Sequence, residues 1–176
     1  MKFQTLRRKR KDHWPIHRLV SKQRSNWPVF SMTRPLRKIY SRRKQSFSVL
    51  YGSMRVNRSS ISKDVFTRFH PTVHWNAKPH TLYTLLMWDP DAHPPWLHWL
   101  VQNLERPSQL DDPKNCVVEY TKPTPPHGTH RYVFRLYEQA DRIDLQPIQR
   151  NAFSIRDVEE TYSLHPIAER CMCVSA

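Results

Sequence analysis

Beyond residue 46 the chain is a series of short apolar runs separated by proline- and glycine-marked turns. Phe47–Tyr51 alternates apolar and polar positions and ends at Gly52, as a half-buried strand does. Val73–Trp75 is short and aromatic. Thr81–Trp88 is almost continuously apolar between Pro79 and Pro90, which predicts a strand covered on both faces. Trp96–Val101 reads as its neighbour, and Cys116–Tyr120 is rich in β-formers. His130–Tyr137 alternates cleanly. Tyr132, Phe134 and Leu136 share one face, and Arg131, Val133, Arg135 and Tyr137 share the other. One stretch changes period: Ile155, Val158 and Tyr162 stand at helical spacing behind Ser154, a candidate N-cap, predicting a helix over 154–163. Pro166 then opens a last strand, Ile167 to Val174. Six or seven strands with one or two short helices predict an all-β, β-dominated domain. No fixed-period repeat points to a solenoid or propeller.

The chain has 176 residues, enough for one domain of common size plus an appendage. No uncharged apolar run approaches the roughly 20 residues that a membrane-spanning helix needs. The start, Met1 to Lys11, lacks the apolar stretch of a secretion signal, so none is expected. Three cysteines are too few for a disulfide framework and point to a reducing interior. With only two glycines, Gly52 and Gly128, neither a dinucleotide-binding glycine fingerprint nor a phosphate-cradling P-loop can be built.

Charge divides the chain. The net +14 resides in residues 1–46, where fifteen bases face one acid, Asp12. The bases are Lys2, Arg7, Arg8, Lys9, Arg10, Lys11, Arg18, Lys22, Arg24, Arg34, Arg37, Lys38, Arg42, Arg43 and Lys44. Residues 47–176 are neutral overall. The division predicts a basic N-terminal arm over 1–46 and a β domain over 47–176. Like charges at this density repel, and Pro15, Pro28 and Pro35 interrupt any long helix, so the arm is expected to be extended. A solvated basic tail and a cleaved mitochondrial presequence both fit its composition. The interleaved Trp14, Trp27 and Tyr40 favour a third reading, an arm that binds RNA, with bases neutralising phosphates and rings stacking on unpaired nucleobases.

Two segments of the body concentrate polar chemistry at strand ends beside prolines: Asp89–Val101 and Tyr120–Gln139. Two carboxylates two residues apart on a proline-rich turn cannot both be buried without partners, and His98 and His130 are candidates. Asp89 and Asp91 fit equally well a turn in which they cap backbone amides and bind nothing else. Cys171 and Cys173 stand on one face of the last strand and read as core or edge, not as metal ligands. Trp88, Trp96 and Trp99 read as core aromatics.

The same segments carry a resemblance. Asp89-Pro-Asp-Ala92, His-Trp-Leu-Val at 98–101, Pro-Pro-His-Gly-Thr at 125–129 and His-Arg-Tyr-Val-Phe-x-Leu-Tyr-x-Gln at 130–139 resemble motifs of the phosphatidylethanolamine-binding protein (PEBP) family. Weaker similarity at 47–52, 71–75 and 166–168 extends it over about residues 47–174, leaving the arm outside. The resemblance implies a large antiparallel β-sandwich with an anion pocket for phosphate-like or phospholipid-headgroup ligands, in a family that is not generally catalytic. By motif position the pocket is lined by Asp89, Asp91, His98, Pro125, Pro126, His130 and Tyr132, with Trp96 nearby. The chain departs from the family where Lys122 and Thr124 stand in place of two glycines before Pro125, and in a shortened stretch after Asp91. Loss of the glycines removes room for close backbone approach to an anion and predicts a relaxed ligand site.

Two functions follow as expectations. The first is a structural, non-enzymatic RNA-binding component of the mitochondrial large ribosomal subunit, its body docked on ribosomal RNA and neighbouring ribosomal proteins and its arm threaded into RNA. The alternative is a regulator of a kinase or protease that binds a phosphate or phospholipid headgroup and acts in the cytoplasm. Neither requires a cofactor or a metal.

Overall fold

The computed structural model describes residues 46–176, apart from 58, 59, 67 and 152. Residues 1–45 of the predicted arm, with all of its candidate RNA-binding residues, Lys2 to Lys44, therefore lie outside the described residues.

The body is β-dominated. Among the described residues its strands are β1 (Phe47–Tyr51), β2 (Met54–Arg55), β3 (Ser60–Ser62), β4 (Thr72–Trp75), β5 (Leu82–Asp89), β6 (Trp96–Leu104), β7 (Cys116–Val118), β8 (Thr129–Gln139) and β9 (His165–Ser175), with one α-helix, α1 (Ile155–Thr161), before β9 and three single-turn 3-10 helices. Gly52, at φ +60°, supplies the left-handed turn between β1 and β2. The strands form two sheets. The smaller is ordered β2-β1-β4 and the larger β3-β9-β8-β5-β6-β7. Pairing is antiparallel except between β3 and β9.

The alternation along β8 explains the layering. Tyr132, Phe134 and Leu136 point toward the small sheet and join Phe47, Val49, Val73, Tyr83, Leu85, Met87 and Trp99 in one core. Val133 and Tyr137 face the other way, where Leu86, Trp88, Leu100, Phe153, Val158 and Leu164 form a second core beneath α1. The central strands β5 and β6 contribute to both cores, so their runs read as continuously apolar.

Most predicted elements appear with shifted ends. β6 runs on to Leu104 and β9 begins at His165, so Pro166 lies inside the strand. Pro166 is tolerated because the β8–β9 register shifts between Leu136 and Tyr137, its cross-strand partner. β2 and β3, of two and three residues, have no periodicity to read. The helix stops at Thr161, and Ser154 caps it by accepting from the Asp157 N–H at 3.2 Å. Trp96 departs from the core expectation: it opens β6 and is 37% exposed.

Between β8 and α1 an extended segment is pinned to β6. Ile143 N–H donates to Asn103 Oδ1, Leu145 N–H to Gln102 Oε1, and Leu97 N–H to the Arg150 carbonyl. Residues 143–151 thus act as a strap that leads to the mouth end of β6, and the polar side chains buried beneath it are satisfied by its backbone.

Candidate functional site

At one end of the large sheet, β5, β6 and β8 bring Asp89, His98, His130 and Tyr132 together. Each is at least nine-tenths buried. β8 alternation places His130 and Tyr132 on one face, and the end of β5 places Asp89 beside them. Asp89 is the hub. Its Oδ1 accepts from the backbone N–H groups of Asp91 (2.8 Å) and Ala92 (3.0 Å), and its Oδ2 accepts from His130 Nδ1 at 2.7 Å. A carboxylate so occupied orients its neighbours. Asp89 thus caps the turn and is partnered by His130 at the same time.

Each imidazole is tied by one nitrogen. His98 Nδ1–H donates to the Thr121 carbonyl at 2.8 Å, and His130 Nδ1–H donates to Asp89. These bonds set the tautomer of each ring and leave Nε2 free. Among the described residues the only buried side-chain polar atom without a partner is Trp75 Nε1. Both Nε2 atoms therefore reach solvent, although the residues are only 4% and 6% exposed. The His98 ring meets Tyr132 edge-on at 5.0 Å, and His127 meets His130 at 5.9 Å. Burial holds His98 below the ordinary histidine pKa, against a smaller opposing effect of the Thr121 carbonyl and Asp89. Burial also pushes the Tyr132 phenol well up, so it stays a neutral donor.

Asp91, the other carboxylate expected at the pocket, is paired with Arg131. Arg131, next to His130 but on the opposite face of β8, takes both of its oxygens: Nε donates to Oδ2 at 2.9 Å and Nη2 to Oδ1 at 2.6 Å, and the Arg131 N–H adds a third bond at 2.8 Å. The side-chain bonds from the guanidinium hold Asp91 down to a pKa of about 2. Pro125 is buried and Pro126 exposed, and the exposed Trp96 lies across from Asp89 in the β5–β6 pair.

Sequence spacing had no signal for Arg150. Its guanidinium donates to the carbonyls of Leu97 and His98, each at 3.2 Å, and of Glu119 at 2.7 Å. It thereby ties the strap to the fork between β6 and β7, directly behind His98. His127 was legible only as part of the Pro-Pro-His-Gly-Thr motif. Among the described residues no group of three metal-ligating side chains comes together, and no helix is long and apolar enough to cross a membrane.

The buried Asp–His pair, the second tied imidazole and the two motifs that supply them lie within a family pattern. The phosphatidylethanolamine-binding protein family model matches residues 57–173. The chain belongs to that family. Among curated relatives, the PEBP chain is 35% identical over 123 residues to Protein MOTHER of FT and TFL1 homolog 2 of Oryza sativa subsp. japonica, which covers 63% of this chain and 70% of the rice protein. It is 40% identical over 87 residues to Putative odorant-binding protein A5 of Drosophila melanogaster, 44% of this chain and 40% of that protein. Among solved structures, the carboxypeptidase Y inhibitor, in complex with its cognate proteinase, superposes with a TM-score of 0.64 at 20% identity, over 76% of this chain and 84% of that one. That likeness concerns the fold alone.

Proposed function

We propose that this PEBP-family protein is a non-catalytic anion-binding regulator whose body takes a phosphate-like group at His98 and His130. The carrying observation is the pair of buried imidazoles, each tied through Nδ1 and each free at Nε2. Asp89 accepts from two backbone amides and from His130, which suits it to orient the rings and not to act as a nucleophile. The family's name supports a headgroup-like anion. The solved carboxypeptidase Y inhibitor complex supports a protein partner such as a protease. The test is a titration of the full chain with inorganic phosphate, followed through the ring-nitrogen NMR signals of His98 and His130. Saturable shifts that disappear in His130→Ala and Asp89→Ala are expected. Unmoved signals at millimolar phosphate would overturn the reading.

A second reading rests on one observation, the fifteen bases to one acid in residues 1–46 interleaved with Trp14, Trp27 and Tyr40. This arm binds RNA through phosphate neutralisation and base stacking, and the protein serves as a component of the mitochondrial large ribosomal subunit. Sedimentation with that subunit on a sucrose gradient, surviving moderate salt, is the expected result. Free migration of a 21.2 kDa chain would exclude it.

A further inference from the structure

Cys171 and Cys173 lie on the face of the large sheet opposite His130 and Tyr132. Their neighbours Met172 and Val174 point into the first core, so alternation along β9 turns both cysteines to the other side. Both are half-buried there, and neither is in a disulfide. Without a second cysteine pair these residues do not make a zinc site, and the sequence alone placed them in the core or at an edge. Cys171 packs against the second core, and its S–H donates to the Met172 carbonyl at 3.7 Å. Cys173 stands directly across from Arg131 in the β8–β9 pair, where β3 begins to run alongside. The Arg131 guanidinium holds its proton more firmly than usual, mainly through its bonds to Asp91, and both sulfurs add to that electrostatically. It is the positive charge available on this face to offset an anionic complex of the two sulfurs.

Residues two apart on a strand stand about 6.5 Å apart with parallel side chains. A disulfide needs Cβ atoms about 4 Å apart, so this pair does not close on itself. Two thiolates on one metal ion stand about 4.6 Å apart, twice a metal–sulfur bond of about 2.3 Å. Each sulfur has to lean by only about 1 Å to meet that span. Coordination number then selects the metal. Zinc takes four ligands, and among the described residues no third metal-ligating side chain joins the pair. Cu(I) is the soft ion that two thiolates satisfy, in a linear arrangement. We propose that Cys171 and Cys173 form a two-coordinate thiolate site for Cu(I). On binding, both S–H bonds break and their protons pass to solvent. Two S–Cu bonds form, and the metal stays Cu(I), so no electron is transferred. Two thiolates and one Cu(I) leave a single negative charge, beside Arg131. Cys116 takes no part, because it lies on β7, with β6, β5 and β8 between it and β9.

The test uses the full chain, reduced and under argon, with Cu(I) supplied as its bicinchoninate complex, so that weak binding by histidine or thioether does not enter. Fading of the coloured complex is expected to show one Cu(I) withdrawn per chain. Cys171→Ser and Cys173→Ser are each expected to abolish the withdrawal, and Cys116→Ser to leave it unchanged. An excess of zinc is expected not to displace the metal. Circular dichroism verifies that each variant folds. A second measurement needs no variant. In the native chain Cu(I) is expected to slow alkylation of Cys171 and Cys173 by iodoacetamide about tenfold or more, because a thiolate held by a metal is no longer a free nucleophile. Alkylation of Cys116 is expected to keep its rate, and peptide mass spectrometry reads all three. No withdrawal by the native chain, withdrawal that survives either of the Cys171 and Cys173 variants, displacement by zinc, or alkylation of Cys171 and Cys173 that Cu(I) does not slow overturns the site.

Discussion

Asp89 and Asp91 stand two residues apart and serve opposite faces of β8. Asp89 anchors His130 on the site face, and Asp91 holds Arg131 on the other. Their substitutions should differ accordingly. Asp89→Ala leaves an imidazole and two amides without their acceptor in a buried setting, and should cost about 3 kcal/mol in urea unfolding. Asp91→Ala opens a half-exposed pair and should cost no more than about 1 kcal/mol. The pH dependence carries a sign for each titrating group. Asp91, depressed to about 2 in the fold, stabilises fully above its unfolded pKa near 4, and that contribution is lost as pH falls toward 2. His98 is also depressed, but it is a base. The unfolded chain takes up its proton first, so stability declines as pH falls below about 6.5. Chemical denaturation between pH 7.5 and 5 should show that decline, and His98→Gln should flatten it.

At the scale of elements, the strap and β8 decide how firmly the site is held. β8 is central in the large sheet, between β9 and β5, and its alternation was legible because one face meets the small sheet and the other meets α1. The strap was not legible. Residues 143–151 have no period, and their bonds go to Gln102, Asn103 and Leu97, some 40 to 50 residues away. Arg150→Met should therefore loosen the His98 carbonyl without touching a ligand. Weaker phosphate binding, with the Tm lowered by only a few degrees, is the outcome to look for by NMR titration and thermal melts. The helix cap gives a control remote from the site. Ser154→Ala should cost about 1 kcal/mol and leave phosphate affinity unchanged.

Over the whole molecule, a basic stretch of sequence joins a neutral β body, and the two can be tested apart by salt. If the arm neutralises RNA phosphates, RNA affinity should fall steeply between 50 and 200 mM salt, by about a thousandfold for six or more contacts. Site-specific binding of glycerophosphoethanolamine, which has no net charge, should change far less, and filter-binding and NMR titrations over that range would separate the two. The sequence by itself determined the β-dominated class, the family and most of the strands. Period-two alternation and proline boundaries are local properties of the chain, and the Asp-Pro-Asp and His-Arg-Tyr motifs are contiguous. It also supplied His98, His130, Asp89 and Tyr132 as residues of one site, because each lies in or beside such a motif. Only the tertiary structure decided that Asp91 turns to Arg131, that Trp96 opens to solvent and that Arg150 stands behind His98. The physical reason is common to all three. Which acceptor satisfies a buried donor depends on what lies across the sheet or beneath the strap, and no local spacing in the chain records those distances.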